Sequence, residues 1–235
     1  MAASRKTANR VLLEEMARQI KPLLPELVFV GGHVAELLVT DPAATRPRVT
    51  DDVDVIVAVT TRNEYHAMGK RLRTLQLRND TTEGAPICRW RTPDGMRLDV
   101  MPVSGDVLGF SNAWYPLAID TATEHRLRRG LTIRVATAPV FMATKWAAFA
   151  DRGEGDVLGS HDLEDIITVT AGRPELLGEL ASAPDDLRAY VAAATRDFLD
   201  SGLADYAVEG ALPDARLLPG VVQEVMDRLS RIAEM

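Results

Sequence analysis

Apolar residues recur along the first half of the chain in two spacings, one typical of strands and one typical of helices. Short runs rich in Val and Ile predict strands in "LVFVGG", "RVTDDVDVIVAV", "MRLDVMPV" and "GLTIRVATA". Apolar positions three and four residues apart predict helices in "TANRVLLEEMARQIKPLL", "HVAELLVT" and "TRNEYHAMGKRLRTLQLRND", the last of which starts with Thr61 as a candidate cap. "PICRWRT" and "MRLDVMPV" flank a "PDG" turn and predict a β-hairpin. The pattern indicates an α/β (α+β) fold in which helices flank a sheet.

The pattern changes at Pro139, after which the chain is rich in Ala and Leu. "PVFMATKWAAFADR" begins with Pro at a predicted helix start, where the missing N–H costs no hydrogen bond. Breaks at "GRP", "SAPDD" and "LPG" divide the remainder into several predicted helices. We therefore predict an α/β domain over residues 1–137 and a helical domain over residues 138–235.

Composition narrows the class of protein. The 235 residues are 46% hydrophobic and 26% charged, which is ordinary for a globular chain, and no segment is apolar enough to predict a signal peptide or a membrane span. The chain has one cysteine, Cys88, which cannot form an internal disulfide and fits a reducing cytoplasm. Cys88 could be a nucleophile, but its place in a predicted strand favours a buried structural thiol.

Charge is distributed unevenly along the chain. Residues 1–150 contain 20 Lys and Arg against 16 Asp and Glu, whereas residues 151–235 contain 7 against 18. Two clusters could form a basic surface for a nucleic-acid backbone: Lys70, Arg71, Arg73 and Arg78, and then Arg126, Arg128, Arg129 and Arg134. The alternative is a solvated helix face and a charged loop.

Three acids stand in otherwise apolar strands. Because side chains alternate along a strand, Asp52 and Asp54 point to one face while Val53 points into the core. Two carboxylates this close repel each other unless a cation lies between them, and Mg²⁺ prefers such oxygen ligands. Asp99 in "RLDV" provides a third oxygen ligand from a neighbouring strand, while Asp51 is expected to face solvent. The alternative is that these acids are surface residues at strand ends.

Gly31 and Gly32 lie between a predicted strand and a predicted helix. Glycines let the backbone approach a phosphate, and the free N–H groups of a helix start can point towards it. A Gly–Gly pair is also common in a tight strand–helix turn, so its meaning depends on the acids about twenty residues later.

These motifs together resemble a known superfamily. "GG", followed by "RVTDDVD" and a later strand Asp in "RLDV", resembles the DNA polymerase β-like nucleotidyltransferases. Within them the chain is most similar to AbiEii-type abortive-infection toxins and their mycobacterial relatives, which carry a Lys-x-x-Ala-x-x-x-Arg helix and an Asp-x-x-Asp segment. Here these are "KWAAFADR", with Lys145, Ala148 and Arg152, and "DLED", with Asp162 and Asp165. The resemblance covers about residues 27–170 and implies a nucleotidyltransferase-like mixed sheet.

Lys145 is the only charged residue between Pro139 and Asp151, in a helix that is apolar on nearly every side. An ammonium in a dry pocket can bind phosphate, although a lysine at a helix edge can equally reach solvent. Arg152 is expected on the same helix face. Asp162 and Asp165 either stabilise a helix start or, as the resemblance suggests, face the active site and orient Lys145.

Three further residues complete the expected site. His33 stands where many superfamily members carry Ser or Thr that touches the triphosphate, so it could donate to a phosphate oxygen or cap the helix. Arg48 and Thr50 match the motif and could instead only fix the loop before the strand.

The resemblance implies a cytoplasmic enzyme that moves a nucleoside monophosphate from a nucleoside triphosphate (NTP) to an acceptor hydroxyl. Asp52, Asp54 and Asp99 would hold two Mg²⁺ ions, with Mn²⁺ as an alternative, and Asp99 would also take the hydroxyl proton. Gly31, Gly32, His33, Lys145 and Arg152 would bind the NTP. The implied acceptor is RNA, at the 3′ end of a tRNA, in a toxin controlled by an antitoxin protein. The alternatives are an aminoglycoside-like acceptor and a non-catalytic binding protein with this fold.

Overall fold

The computed structural model describes residues 7–152, 156–212 and 220–235, without the side chain of Arg129. The chain divides into two compact units. The first comprises Met1–Glu36 and Val49–Ala136, and the second comprises Leu37–Arg48 and Thr137–Met235.

The first unit contains a seven-stranded mixed sheet in the order β3-β4-β5-β2-β1-β7-β6. β2 is parallel to β5 and β1 is parallel to β7, whereas every other neighbouring pair is antiparallel. The strands are β1 (Leu27–Val30), β2 (Asp52–Val57), β3 (Arg78–Asn79), β4 (Arg89–Arg91), β5 (Arg97–Pro102), β6 (Thr123–Arg126) and β7 (Thr132–Val135). This arrangement confirms the predicted mixed sheet and places the predicted acid strands, β2 and β5, side by side.

The first unit also contains several α-helices. They are α1 (Ala8–Gln19), the start of α2 (Gly32–Leu38), α3 (Arg62–Thr74), α4 (Gly105–Leu108) and α5 (Tyr115–Thr121), with 3₁₀ turns at Lys21–Glu26 and Arg128–Gly130. The Thr7 hydroxyl accepts from the N–H of Arg10 at the start of α1. Thr61 and Glu64 form a capping box at the start of α3, which confirms the predicted Thr cap.

The apolar residues of the central strands form much of the core of the first unit. All four residues of β1 are buried, and Val53 and Val55 of β2 have no exposed surface. Burying this many Val, Leu and Phe side chains is the main favourable contribution to the stability of the sheet. It also makes β2 a rigid support for Asp52 and Asp54, which alternate with those valines.

The second unit is helical. Its helices are α6 (Ala138–Arg152), α7 (His161–Gly172), α8 (Leu176–Ala181), α9 (Asp185–Asp200), α10 (Ala204–Ala211) and α11 (Val221–Ala233). This confirms the predicted helical C-terminal region. Within the described residues, none of the helices is long and apolar enough to cross a membrane.

The segment 37–48 groups with these helices rather than with the sheet. The N–H groups of Thr40 and Asp41 both donate to the carbonyl of Gly172, and Arg173 Nη1 donates to the carbonyl of Leu38. The sequence predicted one boundary, after residue 137. The chain passes from one compact unit to the other between Ala136 and Thr137, and also at both ends of this segment.

Candidate active site

The predicted acids meet on one face of the sheet. β2 and β5 are parallel neighbours in which Asp54 is the register partner of Asp99. Asp52 lies two residues before Asp54 on β2, so its side chain points to the same face. Asp99 is buried, Asp52 and Asp54 are partly exposed, and Asp51 is exposed. We call Asp52, Asp54 and Asp99 the acid cluster.

The carboxylate of Asp54 packs against the backbone of Gly31. Gly31 follows β1 with φ of +74°, in the left-handed region. A Cβ atom at this position would lie 1.9 Å from Asp54 Oδ2 and 2.7 Å from Asp54 Cγ. Glycine is therefore required at position 31 both by the turn and by the carboxylate beside it.

Thr50 supports Asp52 from the loop before β2. Its hydroxyl donates to Asp52 Oδ1 at 2.9 Å, and its own N–H donates to Asn9 Oδ1 at 3.0 Å. The loop is thus fixed to α1, and one oxygen of Asp52 is oriented by a buried neighbour. This contact is consistent with the supporting role expected of Thr50.

Arg89 joins two members of the acid cluster, and the sequence did not single it out. Its Nε donates to Asp99 Oδ1 at 2.8 Å, and its Nη2 donates to Asp99 Oδ2 and to Asp52 Oδ2, each at 2.7 Å. Hydrogen bonding to Asp99 raises the pKa of Arg89 above its ordinary value. Arg89 is therefore a permanent positive charge between two carboxylates.

The acid cluster matches Mg²⁺ in donor chemistry, since all three side chains offer hard carboxylate oxygens. Its arrangement is different from a formed metal site, because the guanidinium of Arg89 already binds both oxygens of Asp99 and one of Asp52. Among residues 7–152, 156–212 and 220–235, no group of three or more His, Cys, Asp or Glu side chains is placed so that it could hold a metal ion. Metal binding by the whole cluster would require Arg89 to move.

His33 and Gly32 lie at the start of α2. The His33 side chain is buried, with 2% of its surface exposed. Almost none of the His33 side chain is therefore exposed to contact a triphosphate. The structure places His33 in the first turn of α2. α2 itself has only seven residues.

A second charged cluster lies in the helical unit and contains the other predicted residues. Lys145 Nζ contacts Asp162 Oδ1 at 2.8 Å and Asp165 Oδ2 at 2.7 Å, and Arg152 Nη2 contacts Asp162 Oδ2 at 2.9 Å. Arg48 Nε lies 3.5 Å from Asp165 Oδ1. We call these five residues the lysine cluster. The helical spacing correctly predicted that Lys145 and Arg152 share a face of α6, because both contact Asp162.

Within the lysine cluster, the pKa values of Lys145 and Asp162 are shifted in the directions that favour their charged forms. Burial alone would lower the pKa of Lys145, but the charges of Asp165 and Asp162 outweigh it and hold that pKa above its ordinary value. Burial alone would likewise raise the pKa of Asp162, but Lys145 and Arg152 reverse the effect and lower it. Lys145 is thus paired within the helical unit.

Several of the predicted surface arginines have partners inside the sheet unit. Arg71 donates to both carboxylate oxygens of Glu26, at 2.5 and 2.6 Å, and the guanidinium of Arg73 lies 5.3 Å from the centre of the Trp90 ring. Arg134 donates to the carbonyl of Ile119. Arg129 lies outside the described side chains. These contacts are as expected for a solvated helix face and a charged loop, the alternative to a nucleic-acid surface.

A pocket of about 350 Å³ lies beside the last residue of β2, Val57, at the other end of that strand from Asp52. Met68, Ile119, Arg71 and Arg134 are among its lining residues. Its described lining includes none of the predicted site residues, so the pocket and the acid cluster are separate features of the sheet unit.

Cys88 is a buried thiol at the start of the hairpin, with 3% of its surface exposed. Burial, followed by the nearby charges of Asp99 and Asp54, raises its pKa to about 12. A thiol with so high a pKa is a poor nucleophile. This supports the structural reading of Cys88 over the catalytic one.

Comparison with known proteins found similar solved structures, among them two from Helicobacter pylori. The chain matches no protein-family model and no curated protein. It is similar to the crystal structure of JHP933 from Helicobacter pylori, with 15% identity over 98% of this chain and 94% of that one, at a TM-score of 0.49. It is also similar to a structure from H. pylori described as a putative nucleotidyltransferase, with 14% identity over 97% of this chain and 96% of that one, at a TM-score of 0.45. Both identities are low and both TM-scores are below 0.5, so neither similarity assigns a fold family or an activity to this chain.

Proposed function

We propose that the chain is a Mg²⁺-dependent nucleotidyltransferase that moves a nucleoside monophosphate from an NTP to an acceptor hydroxyl. The observation that carries this proposal is the acid cluster: three carboxylates on one sheet face, two of them register partners on parallel strands. Carboxylates clustered on one sheet face, with Asp99 buried, repel each other unless a cation lies between them. Divalent cations and phosphate esters are the ligands that suit this chemistry.

Each acid has a proposed role. Asp52, Asp54 and Asp99 would hold the Mg²⁺, with Thr50 orienting Asp52 and Gly31 leaving room for Asp54. When bound, the ion would offset the phosphate charge and lower the pKa of the acceptor hydroxyl. Asp99 would also accept the proton of that hydroxyl at a carboxylate oxygen, once the hydrogen bonds of Arg89 no longer occupy its oxygens.

The proposed reaction is an in-line displacement at the α-phosphorus of the NTP. The acceptor oxygen forms a bond to the α-phosphorus as the bond to the bridging oxygen of the β-phosphate breaks. Pyrophosphate leaves with that electron pair, and the hydroxyl proton passes to Asp99 and then to solvent. The atoms and charges balance without a further reactant.

The proposed acceptor is RNA, at the 3′ end of a tRNA, and the proposed setting is a toxin restrained by an antitoxin protein. The excess of Lys and Arg over Asp and Glu in residues 1–150 supports a phosphate-bearing acceptor. Arginines with exposed surface in the first unit, such as Arg78 and Arg126, are available to it.

A non-catalytic binding protein is the second candidate. The observation that favours it is Arg89, whose guanidinium forms ion pairs with two of the three acids. In that case the acid cluster would be a structural ion-pair network, and NTP would not be consumed.

One assay separates these candidates. Purified protein is incubated with Mg²⁺ and each α-³²P-labelled NTP, with total tRNA, an aminoglycoside or no acceptor. Label on tRNA supports the proposal, whereas label on the aminoglycoside supports nucleotidyl transfer with the alternative acceptor. Absence of label on every acceptor, from protein shown to be folded by circular dichroism, contradicts nucleotidyl transfer and favours the binding protein.

A further inference from the structure

The guanidinium of Arg89 occupies the space between two carboxylates that the proposed function assigns to metal binding. We propose that Arg89 is a positioning residue: its guanidinium is a built-in counter-cation of the acid cluster, and a divalent cation must displace it to reach Asp99. The inference rests on the proposed function only in treating that cation as the metal of the reaction. The new element is the side chain of Arg89, which competes with the metal for the carboxylates and so lowers the metal affinity.

The backbone fixes Arg89 beside Asp99. The two residues are register partners on the antiparallel pair β4 and β5, and β4 is itself paired on its other side with β3. The carbonyl of Arg89 also accepts from the N–H of Asp80 at 2.9 Å. Since the backbone is held on both sides, only rotation of the side chain can release the carboxylates.

Arg89 and Thr50 together contact all four carboxylate oxygens of Asp52 and Asp99. Both oxygens of Asp99 accept from Arg89, and the two oxygens of Asp52 accept from Arg89 and from Thr50. Paired N–H···O⁻ bonds of this fork type are among the strongest hydrogen bonds in proteins. Mg²⁺ in turn requires carboxylate oxygens at about 2.0–2.1 Å in near-octahedral geometry. A Mg²⁺ ion bound to these oxygens would lie beside the guanidinium of Arg89, and the two cations repel each other.

Charge and burial explain why the chain would need such a group. Asp99 has a side chain that is only 8% exposed, and Arg89 is 15% exposed. Three carboxylates without a cation would carry three negative charges on one sheet face, and with Arg89 they carry two. Arg89 therefore stabilises the metal-free chain, and the same contacts weaken metal binding.

Arg97 provides a matched control. It is the register partner of Asp52 on β5, its side chain is 38% exposed, and it forms a long ion pair with Asp51 at 4.0 Å. Arg97→Met removes one positive charge close to the acid cluster but leaves the fork on Asp99 intact. Comparison with Arg89→Met therefore separates competition for the oxygens from a general change in charge.

The test is a Mn²⁺ titration followed by electron paramagnetic resonance, without nucleotide, on the wild type and both variants. We expect Arg89→Met to bind Mn²⁺ at least about tenfold more tightly than the wild type and than Arg97→Met, because the competing cation is gone. Without metal, Arg89→Met should melt at a lower temperature than the wild type, and Mg²⁺ should raise its Tm by more. Equal or weaker Mn²⁺ binding by Arg89→Met, or no binding by any of the proteins, overturns the proposal.

Arg89→Lys keeps the test informative if Arg89→Met does not fold. A lysine retains the charge but cannot bind two carboxylates through a planar fork. We expect Mn²⁺ affinity between those of the wild type and Arg89→Met, and at least clearly above the wild type. Affinity equal to the wild type overturns the proposal. Because no NTP is present, label transfer by the wild type decides the proposed function separately: an inactive wild type with the expected order of Mn²⁺ affinities contradicts the function alone.

Discussion

The carboxylate of Asp54 packs so closely against the backbone of Gly31 that it fills the space a side chain at position 31 would need. A Cβ on Gly31 would lie 1.9 Å from Asp54 Oδ2, and Gly31 has φ of +74°. The glycine that the sequence suggested as a phosphate cradle is therefore also the residue that admits an acid of the cluster.

Replacement of Gly31 should cost more stability than replacement of a glycine with the same backbone and open space. Gly84 has φ of +78°, and a Cβ added there would meet no atom of the described residues within 4 Å. Gly84→Ala should therefore cost about 1–2 kcal/mol from the left-handed backbone alone. Gly31→Ala should cost a further ~1–3 kcal/mol from overlap with Asp54. Urea denaturation of both variants measures the difference.

The partner substitution identifies the cause of that difference. In an Asp54→Ala background the carboxylate is absent, so most of the extra cost of Gly31→Ala should disappear. If the two glycine variants are equally stable, or if the extra cost persists in full without the carboxylate, the close packing is not what requires glycine.

Lys145 should be essential to the stability of the helical unit. It is buried between Asp162 and Asp165, and the Asp165 side chain is only 1% exposed. Lys145→Met would leave buried carboxylates without their cation, which should lower the free energy of unfolding by about 3–5 kcal/mol. Arg152→Met is the control, because Arg152 contacts the same Asp162 from a side chain that is 73% exposed and should cost no more than ~1 kcal/mol. Equal costs would contradict the pairing.

The contribution of Lys145 should depend on pH in a definite direction. The pKa of Asp162 is lowered in the folded chain, so its contribution is present above the ordinary value of 3.8 and is lost as pH falls through the lower folded value. The pKa of Lys145 is raised, so its contribution is present below 10.5 and is lost only at higher pH. The stability difference between the wild type and Lys145→Met should therefore be constant near neutral pH and shrink below pH 3.8. A difference that grows in acid would contradict this account.

Cys88 should be unreactive in the folded chain. Its pKa of about 12 leaves the thiol almost entirely protonated near pH 8, and the side chain is buried. Reaction with 5,5′-dithiobis(2-nitrobenzoic acid) at pH 8 should be slow in buffer and rapid in urea. Rapid reaction without denaturant, at the rate of a free exposed thiol, would show that Cys88 is accessible.

Local patterns predicted the acid strands, the Thr61 cap and the helices because short-range spacing determines them. Strand alternation was also enough to place Asp52 and Asp54 on one face. Arg89 was not predicted because its contact with Asp99 depends on which residues of the hairpin are paired. The sequence does contain a signal for that pairing. If the hairpin turns about Asp94, residues equally far on either side pair, which brings Arg89 opposite Asp99 as observed.

The segment 37–48 could not be assigned from local pattern. Its place with the helical unit depends on hydrogen bonds to the carbonyl of Gly172 and on the contact of Arg48 with Asp165, more than a hundred residues away in sequence. Composition around its two prolines indicates only a loop.

The central claim is that the acid cluster carries nucleotidyl transfer, and the most direct measurement compares two neighbouring aspartates. Transfer of label from an α-³²P-labelled NTP is measured for the wild type, Asp54→Asn and Asp51→Asn, where Asp51 has an exposed side chain just before β2. We predict that Asp54→Asn lowers the transfer rate by on the order of 10²-fold or more, while Asp51→Asn stays near the wild type. No transfer by folded wild type, or transfer that survives in Asp54→Asn, would contradict the account.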